Sequence, residues 1–250
     1  MSNPDAESFD CRAARRRWSI AAVAGRALPQ RCELCVAHTG DTLLCSACEA
    51  SLPRIAAACP VCALPSARNA VCGGCLTHRP PFAATLARFA YAFPTDRLLQ
   101  RIKYGGRIAL AEWAGTALAA TVRTSLAGRT ARDRPECIVA LPLAASRQRE
   151  RGFNQAREIA VHVARRTGLP LADPLIRIAA GQPQVTLPWA LRRRNVRGAF
   201  AARSNVRGAR IALVDDVMTT GATLSEAART LVDAGAERVE CWVVARTPPP

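Results

Sequence analysis

Asp215 and Asp216 follow four apolar residues, Ile211-Ala212-Leu213-Val214, and precede Val217, Met218 and the run Thr219-Thr220-Gly221-Ala222-Thr223. Two adjacent carboxylates can hold hydroxyls or organise a divalent cation. The small, hydroxyl-rich turn after them exposes backbone N–H groups and side-chain hydroxyls, the chemistry of a phosphate cradle. Together they suit a ligand that carries both hydroxyls and a phosphate, such as a ribose 5-phosphate. The second reactive set is the cysteines. Cys32 and Cys35, Cys45 and Cys48, Cys59 and Cys62, and Cys72 and Cys75 form four Cys-x-x-Cys pairs, separated by nine, ten and nine residues. Two residues between cysteines let both thiolates reach one metal from a single tight turn, so eight thiolates supply two closed tetrahedral zinc sites. Such sites leave no position for water and are structural. The simplest pairing puts the first four cysteines on one zinc and the last four on the other. An arrangement in which the first and third pairs share a metal also fits the spacing. A disulfide framework and iron–sulfur ligation are the rarer readings of the same residues. Cys137 and Cys241 lie in apolar runs and read as buried thiols.

These groups need elements to position them. The apolar run before Asp215 lacks alternation, which predicts a strand buried on both faces of a parallel sheet. The acids then sit at its carboxyl end, where open α/β sheets bind ligands. Leu224, Ala227, Ala228 and Leu231 mark one face of a helix that stops at Ala234-Gly235. Val239 to Ala245 reads as the next strand, giving a right-handed βαβ unit. Glu136 to Leu141 is another buried strand, stopped by Pro142. A basic loop over Ser146 to Gln155 follows, with Arg147, Arg149 and Arg151 as partners for an anion, and then a helix with apolar positions 156, 159, 160 and 163. Upstream, Phe89 to Phe93 reads as a strand. Thr95-Asp96 are placed to cap a helix carrying Leu98, Leu99 and Ile102; Lys103-Tyr104-Gly105-Gly106-Arg107 breaks it, and a longer helix runs from about Leu110 to Leu126. A second arginine-rich stretch, Leu191 to Phe200, suits a mobile loop closing over an anionic ligand, and equally a nucleic-acid-binding strip. The chain thus divides into a basic arm over 1–28, a cysteine-rich segment over 29–80 and an α/β segment over 81–250, with Arg79-Pro80-Pro81 as linker.

Half of the residues are apolar, which excludes a disordered chain. The formal net charge is +16, and Lys103 is the single lysine, so arginine supplies 34 of the 35 basic residues. Arginine's planar fork matches phosphate, and this balance points to polyanionic partners. No apolar run approaches the ~20 residues of a membrane span. The arm carries Arg12, Arg15, Arg16 and Arg17 before a short apolar stretch, Trp18 to Ala24, too weak for a secretory signal. The expected location is the cytoplasm. An amphipathic helix in the arm would allow a peripheral place at the inner membrane.

The stretch Ile211 to Thr223 resembles the phosphoribosyl-diphosphate (PRPP) signature of type I phosphoribosyltransferases. Taken in order with the cysteine pairs, Lys103-Tyr104-Gly105-Gly106, Arg149 to Gln155 and Arg193 to Phe200, the chain resembles the ComF/GntX family of phosphoribosyltransferase-like proteins over roughly residues 29 to 247. That resemblance implies an N-terminal double zinc ribbon joined to a parallel-sheet type I phosphoribosyltransferase fold. It implies that Asp215 and Asp216 face the ribose hydroxyls and help organise Mg²⁺. It also implies that Met218, Thr219, Thr220, Gly221, Ala222 and Thr223 wrap the 5-phosphate, and that the loop Leu143 to Arg147 handles the diphosphate. Many family members carry His-Pro where this chain has Ala144-Ala145, leaving Arg147, Arg149 and Arg151 as the partners at hand. Two functions follow. One is a Mg²⁺-dependent PRPP transferase whose acceptor no residue identifies. The other is a competence factor that binds single-stranded DNA or a protein of the competence machinery and uses the PRPP fold as a binding or regulatory module.

Overall fold

The computed structural model describes residues 30–178 and 196–248. The basic arm and the part of the second arginine-rich stretch before Val196 lie outside the described residues. In chain order the elements are β1 (Gln30–Arg31), β2 (His38–Gly40), α1 (Ser46–Ala50), α2 (Gly73–Thr77), β3 (Ala84–Ala90), α3 (Thr95–Tyr104), α4 (Ala109–Ala127), β4 (Cys137–Ala140), α5 (Ala145–Arg151), α6 (Gln155–Thr167), β5 (Leu171–Ala172), β6 (Leu175–Arg177), β7 (Phe200–Ala202), β8 (Arg210–Met218), α7 (Ala222–Asp233) and β9 (Arg238–Arg246). Five strands form one sheet in the order β3-β9-β8-β4-β5, and every pairing in it is parallel. β6 and β7 make a separate antiparallel pair.

Side chains alternate across a strand, and β8 divides them between two cores. Ala212 and Val214 face Leu98, Leu118, Ile159 and Trp242, the core under α3, α4 and α6. Ile211 and Leu213 face Leu224, Leu231 and Phe200, the core under α7 and the β6–β7 pair. Cys137 and Cys241 are buried thiols in the second core. Helix α4 comes close to α6 at Gly115, where a Cβ would lie 2.7 Å from the Ile159 carbonyl oxygen.

The cysteine-rich segment lies along β3, the edge of the sheet. The Ala90 N–H donates to Pro53 O at 2.8 Å and the Thr85 N–H to Pro60 O at 3.1 Å. The Thr85 hydroxyl donates to Val61 O at 2.7 Å. The segment thus satisfies backbone groups on an edge that would otherwise stay open to other strands. Trp113 of α4 stacks on Phe89 and donates from Nε1 to the Glu49 carboxylate at 2.8 Å, tying α1 to the body.

Several elements differ from the sequence reading. The strand expected at Phe89 to Phe93 runs instead from Ala84 to Ala90. Its first residues, Ala84-Thr85-Leu86-Ala87-Arg88, carry too little apolar weight to announce it; it is held by pairing to β9. Neither Thr95 nor Asp96 caps α3: Thr95 lies inside the helix, buried, and the cap position is Pro94. The basic loop expected from Ser146 is for the most part helix α5, so Ala145 to Arg147 of the expected Leu143 to Arg147 loop are helical. Arginine and glutamine are good helix formers, and Gly152 ends the helix in the left-handed region. Strand β8 also continues beyond the acid pair to Met218. Its neighbour β4 stops at Ala140 opposite Val214, while β9 pairs on as far as Arg246. The acids therefore lie past the end of one neighbour and within the ladder of the other.

Candidate functional site

Asp215 and Asp216 leave β8 toward opposite faces, and their surroundings differ accordingly. Asp216, buried, meets Lys103 from the end of α3, with Nζ 2.6 Å from Oδ2. Burial pulls the Lys103 ammonium down, but the Asp216 carboxylate, with help from Asp215, outweighs it, and the net shift is upward. Asp215 lies on the other face. Burial pushes its carboxyl well above the ordinary range, the charge of Asp216 adds to this, and Lys103 only partly opposes it. Arg177 of β6, stacked 5.3 Å over Phe200, feels both Arg147 and Asp215, so α5 and the β6–β7 pair border this side.

The turn after β8 is built to present N–H groups. Arg246, the last residue of β9, donates from Nη1 to Met218 O at 2.9 Å and to Thr219 O, and the Thr247 N–H also donates to Met218 O at 3.0 Å. Those peptides are trans, so carbonyls turned toward Arg246 turn the N–H groups of Thr219 and Thr220 the opposite way. Among the described residues no backbone carbonyl takes the N–H of Thr219, Thr220 or Gly221. Gly221 has φ of 78°, the left-handed conformation open to glycine, and starts α7. The Thr220 hydroxyl accepts from the Ala222 N–H at 3.2 Å. Met218 is buried beneath the turn; Thr219 is exposed, and Thr220, Ala222 and Thr223 are half-buried. Outward N–H groups at a helix N-terminus, next to two carboxylates, are an arrangement that can take an anion.

The three arginines of α5 are not brought together. Arg147 and Arg151 lie four residues apart on one helical face, and Arg149 points elsewhere and is exposed. Arg147 lies by Arg177. Arg151 stacks 5.0 Å over the Tyr104 ring, beside Lys103. Sequence reasoning missed three residues: Lys103, Arg177 and Arg246. Only Lys103 carried a signal, being the single lysine of the chain.

The eight paired cysteines form two groups, Cys32, Cys35, Cys45 and Cys48, and Cys59, Cys62, Cys72 and Cys75, each with its sulfurs within 4.8 Å of one another. This is the simplest pairing the spacing allows. The two groups repeat one geometry. Val36 and Ala63, directly after the second cysteine of each first turn, take left-handed φ of 65° and 57°, and each N–H returns to the first cysteine's carbonyl at 2.9 Å. Burial pushes the Cys32 thiol up, but N–H groups of Cys35, Cys45 and Leu34 outweigh it and bring it down to about 6; Cys59 falls to about 7 in the same way. Cys75 is pushed up by burial and by its neighbouring thiols. One thiolate per group is favoured and a second is resisted, so four together need a cation. The donor set fits zinc in both places.

Two family models match. A phosphoribosyl transferase domain covers residues 150–249 and a double zinc ribbon domain covers residues 23–76. The chain is 32% identical over 228 residues to the DNA utilization protein YhgH of Salmonella typhimurium, spanning 88% of this chain and 98% of that one. It is 32% identical over 180 residues to competence protein F of Haemophilus influenzae, spanning 70% and 78%. It is 29% identical over 203 residues to competence protein ComFC of Bacillus subtilis, spanning 78% and 80%.

Proposed function

This chain belongs to the family of competence protein F and the DNA utilization protein YhgH, and from that premise we propose that it binds PRPP with Mg²⁺ and serves the uptake or use of DNA in the cytoplasm. The observation that carries this reading is the turn at Thr219, Thr220 and Gly221, directly after the Asp215-Asp216 pair, whose N–H groups meet no carbonyl among the described residues. The cradle takes the 5-phosphate, aided by the hydroxyls of Thr219, Thr220 and Thr223. Asp215 and Asp216 accept hydrogen bonds from the ribose hydroxyls. Lys103 offsets the charge of Asp216, and Arg147 and Arg177 lie on the side from which a diphosphate would be met. Bound Mg²⁺ would neutralise diphosphate oxygens, with the acids at the β8 end among the groups that orient it. In transfer the C1–O bond to diphosphate breaks, its electron pair leaves on the diphosphate, and an acceptor nucleophile joins C1. Arginine charge stabilises the leaving group. The two cysteine groups hold structural zinc.

The test is a calorimetric titration of PRPP with Mg²⁺ into the zinc-loaded protein. Saturable Mg²⁺-dependent binding that disappears in Asp215→Asn supports the reading, and absence of binding to the unmodified chain overturns it. Diphosphate release on adding nucleobases or nucleic acid separates a transferase from a binding module.

A second reading draws on the outer face of α3. Phe93 and Tyr104, at the two ends of α3, are 75% and 69% exposed, Arg97, Arg101 and Arg107 are exposed in the same stretch, and Arg151 stacks on Tyr104. Exposed aromatic rings among arginines suit unpaired bases and their phosphates. Single-stranded DNA binding that weakens steeply with salt, and that is weaker at each salt concentration in Tyr104→Ala, is the expected result. Salt-independent binding, or none, removes this reading.

A further inference from the structure

The second cysteine group and the phosphate cradle are joined through one side chain. Arg246 is 5% exposed. Its Nε donates to Cys62 O at 2.8 Å, in the turn that carries Cys59 and Cys62. Its Nη1 donates to Met218 O, Thr219 O and Thr247 O. One planar guanidinium therefore fixes a metal-ligand turn and the carbonyls whose reverse sides form the cradle. A lysine could not span both, because it lacks the rigid fork.

The charges make the same connection. A buried guanidinium needs a counter-charge, and among the described residues Arg246 has no carboxylate partner. The group that can supply that charge is the cysteine cluster whose Cys62 carbonyl takes the guanidinium's Nε. Four thiolates around one divalent cation carry a net charge of about −2. Loading the group thus supplies both the fixed carbonyl and the field that hold the guanidinium. Among the described residues the first cysteine group has no such bond to the cradle; its charged contacts go from Glu33 to Arg101 in the last turn of α3 and to Arg107 just after it.

We propose that Arg246 is a positioning residue that couples the metal state of the Cys59, Cys62, Cys72 and Cys75 group to the shape of the Met218–Gly221 cradle, so that loss of this metal weakens phosphate-ester binding at a distance. The proposal deepens the PRPP-binding reading and rests on it for its ligand arm, so the experiment also carries a ligand-free arm.

Amide resonances of Thr219, Thr220 and Gly221 report the cradle without any ligand. They are followed as zinc is removed with a chelator and returned, in the natural chain, in Arg246→Lys and in Cys75→Ser. In the natural chain these resonances shift on loading. In Arg246→Lys they stay near one position although two zinc ions per chain are still taken up. In Cys75→Ser they stay near the metal-free position. If the metal-free chain or Cys75→Ser unfolds, the comparison of zinc-loaded natural chain with zinc-loaded Arg246→Lys decides. Identical cradle resonances in the two overturn the proposal, as does an undiminished zinc response in Arg246→Lys. In the ligand arm, Arg246→Lys binds PRPP with Mg²⁺ at least tenfold more weakly with zinc content unchanged; equal affinity overturns the coupling. A natural chain that binds no PRPP strikes the function reading and leaves the resonance arm standing as the test of the coupling.

Discussion

Asp215 and Asp216 are adjacent in sequence, yet they make opposite demands on the fold. Asp215 is held well above its ordinary value of 3.8, chiefly by burial. An acid raised in this way keeps its proton in the folded chain after the unfolded chain has released it. Stability therefore falls as pH rises from the ordinary value toward the raised one. Asp215→Asn removes that loss: its melting midpoint at pH 7 should exceed that of the natural chain by at least ~2 °C, since 1 kcal/mol is about 2–4 °C at this size. The gain should shrink toward pH 4, while PRPP binding is lost. A midpoint that falls at pH 7 would contradict the assigned surroundings. Asp216 behaves differently because Lys103 is its partner. Asp216→Asn leaves a largely buried ammonium without its carboxylate and should cost about 3 kcal/mol in denaturant unfolding. Lys103→Met combined with Asp216→Asn should recover most of that, and a double-mutant cycle reads the coupling. Purely additive losses would deny the pair. The acids and the cysteines were legible in the sequence because each group is local, a few residues at fixed spacing. Arg177 and Arg246 were not, and Lys103 only as the single lysine, because their partners lie far along the chain and only the closed sheet brings them near.

The same limit appears among the elements. Strands β4, β8 and β9 and helices α4, α6 and α7 could be read because apolar runs or helical spacing marked them. Strand β3 starts in weakly apolar residues and depends on β9 and on the cysteine-rich segment along its edge. Helix α5 buries no residue, so no apolar face announced it within the arginine-rich stretch. Helix α3 was legible as a helix, but its anchor was not. Its last turn and the residues just after it are gripped by Glu33, which sits between Cys32 and Cys35 and accepts from Arg101 and Arg107. Both arginines are about half exposed, so the grip is screened and contributes roughly 0.5–1 kcal/mol. Its value lies in where it acts, because the same turn carries Lys103 to Asp216. Glu33→Gln should speed amide exchange selectively over residues 101–107 and weaken PRPP binding a few-fold, with the global midpoint nearly unchanged. Faster exchange spread evenly through the chain would show a general loss of stability instead.

At the scale of the whole molecule, the cysteine-rich segment does not behave as a bead on a linker. Cys32, Leu44 and Leu52 belong to the core that holds Leu98, Ile159 and Trp242. Cys59, Val61, Cys75 and Phe82 belong to the core on the other face, with Leu213 and Leu224. The segment straddles the β3 edge and contributes to both sides of the sheet. Its described residues form two five-residue helices, a 3-10 turn at Ala67–Asn69 and a short strand pair, so metal binding supplies folding energy that its own packing cannot. The two parts should therefore melt together. Scanning calorimetry of the zinc-loaded chain should give one transition, and a chelator should move that transition down as a whole, because the metal-free segment no longer covers β3 or fills either core. An independent ribbon would behave otherwise: a separate low-temperature transition would vanish with the chelator and leave the midpoint of the sheet where it was. Arg246 ties the second cysteine group to the turn after β8, and Glu33 ties the first to the helix that carries Lys103, so loss of either metal should be felt in that shared transition.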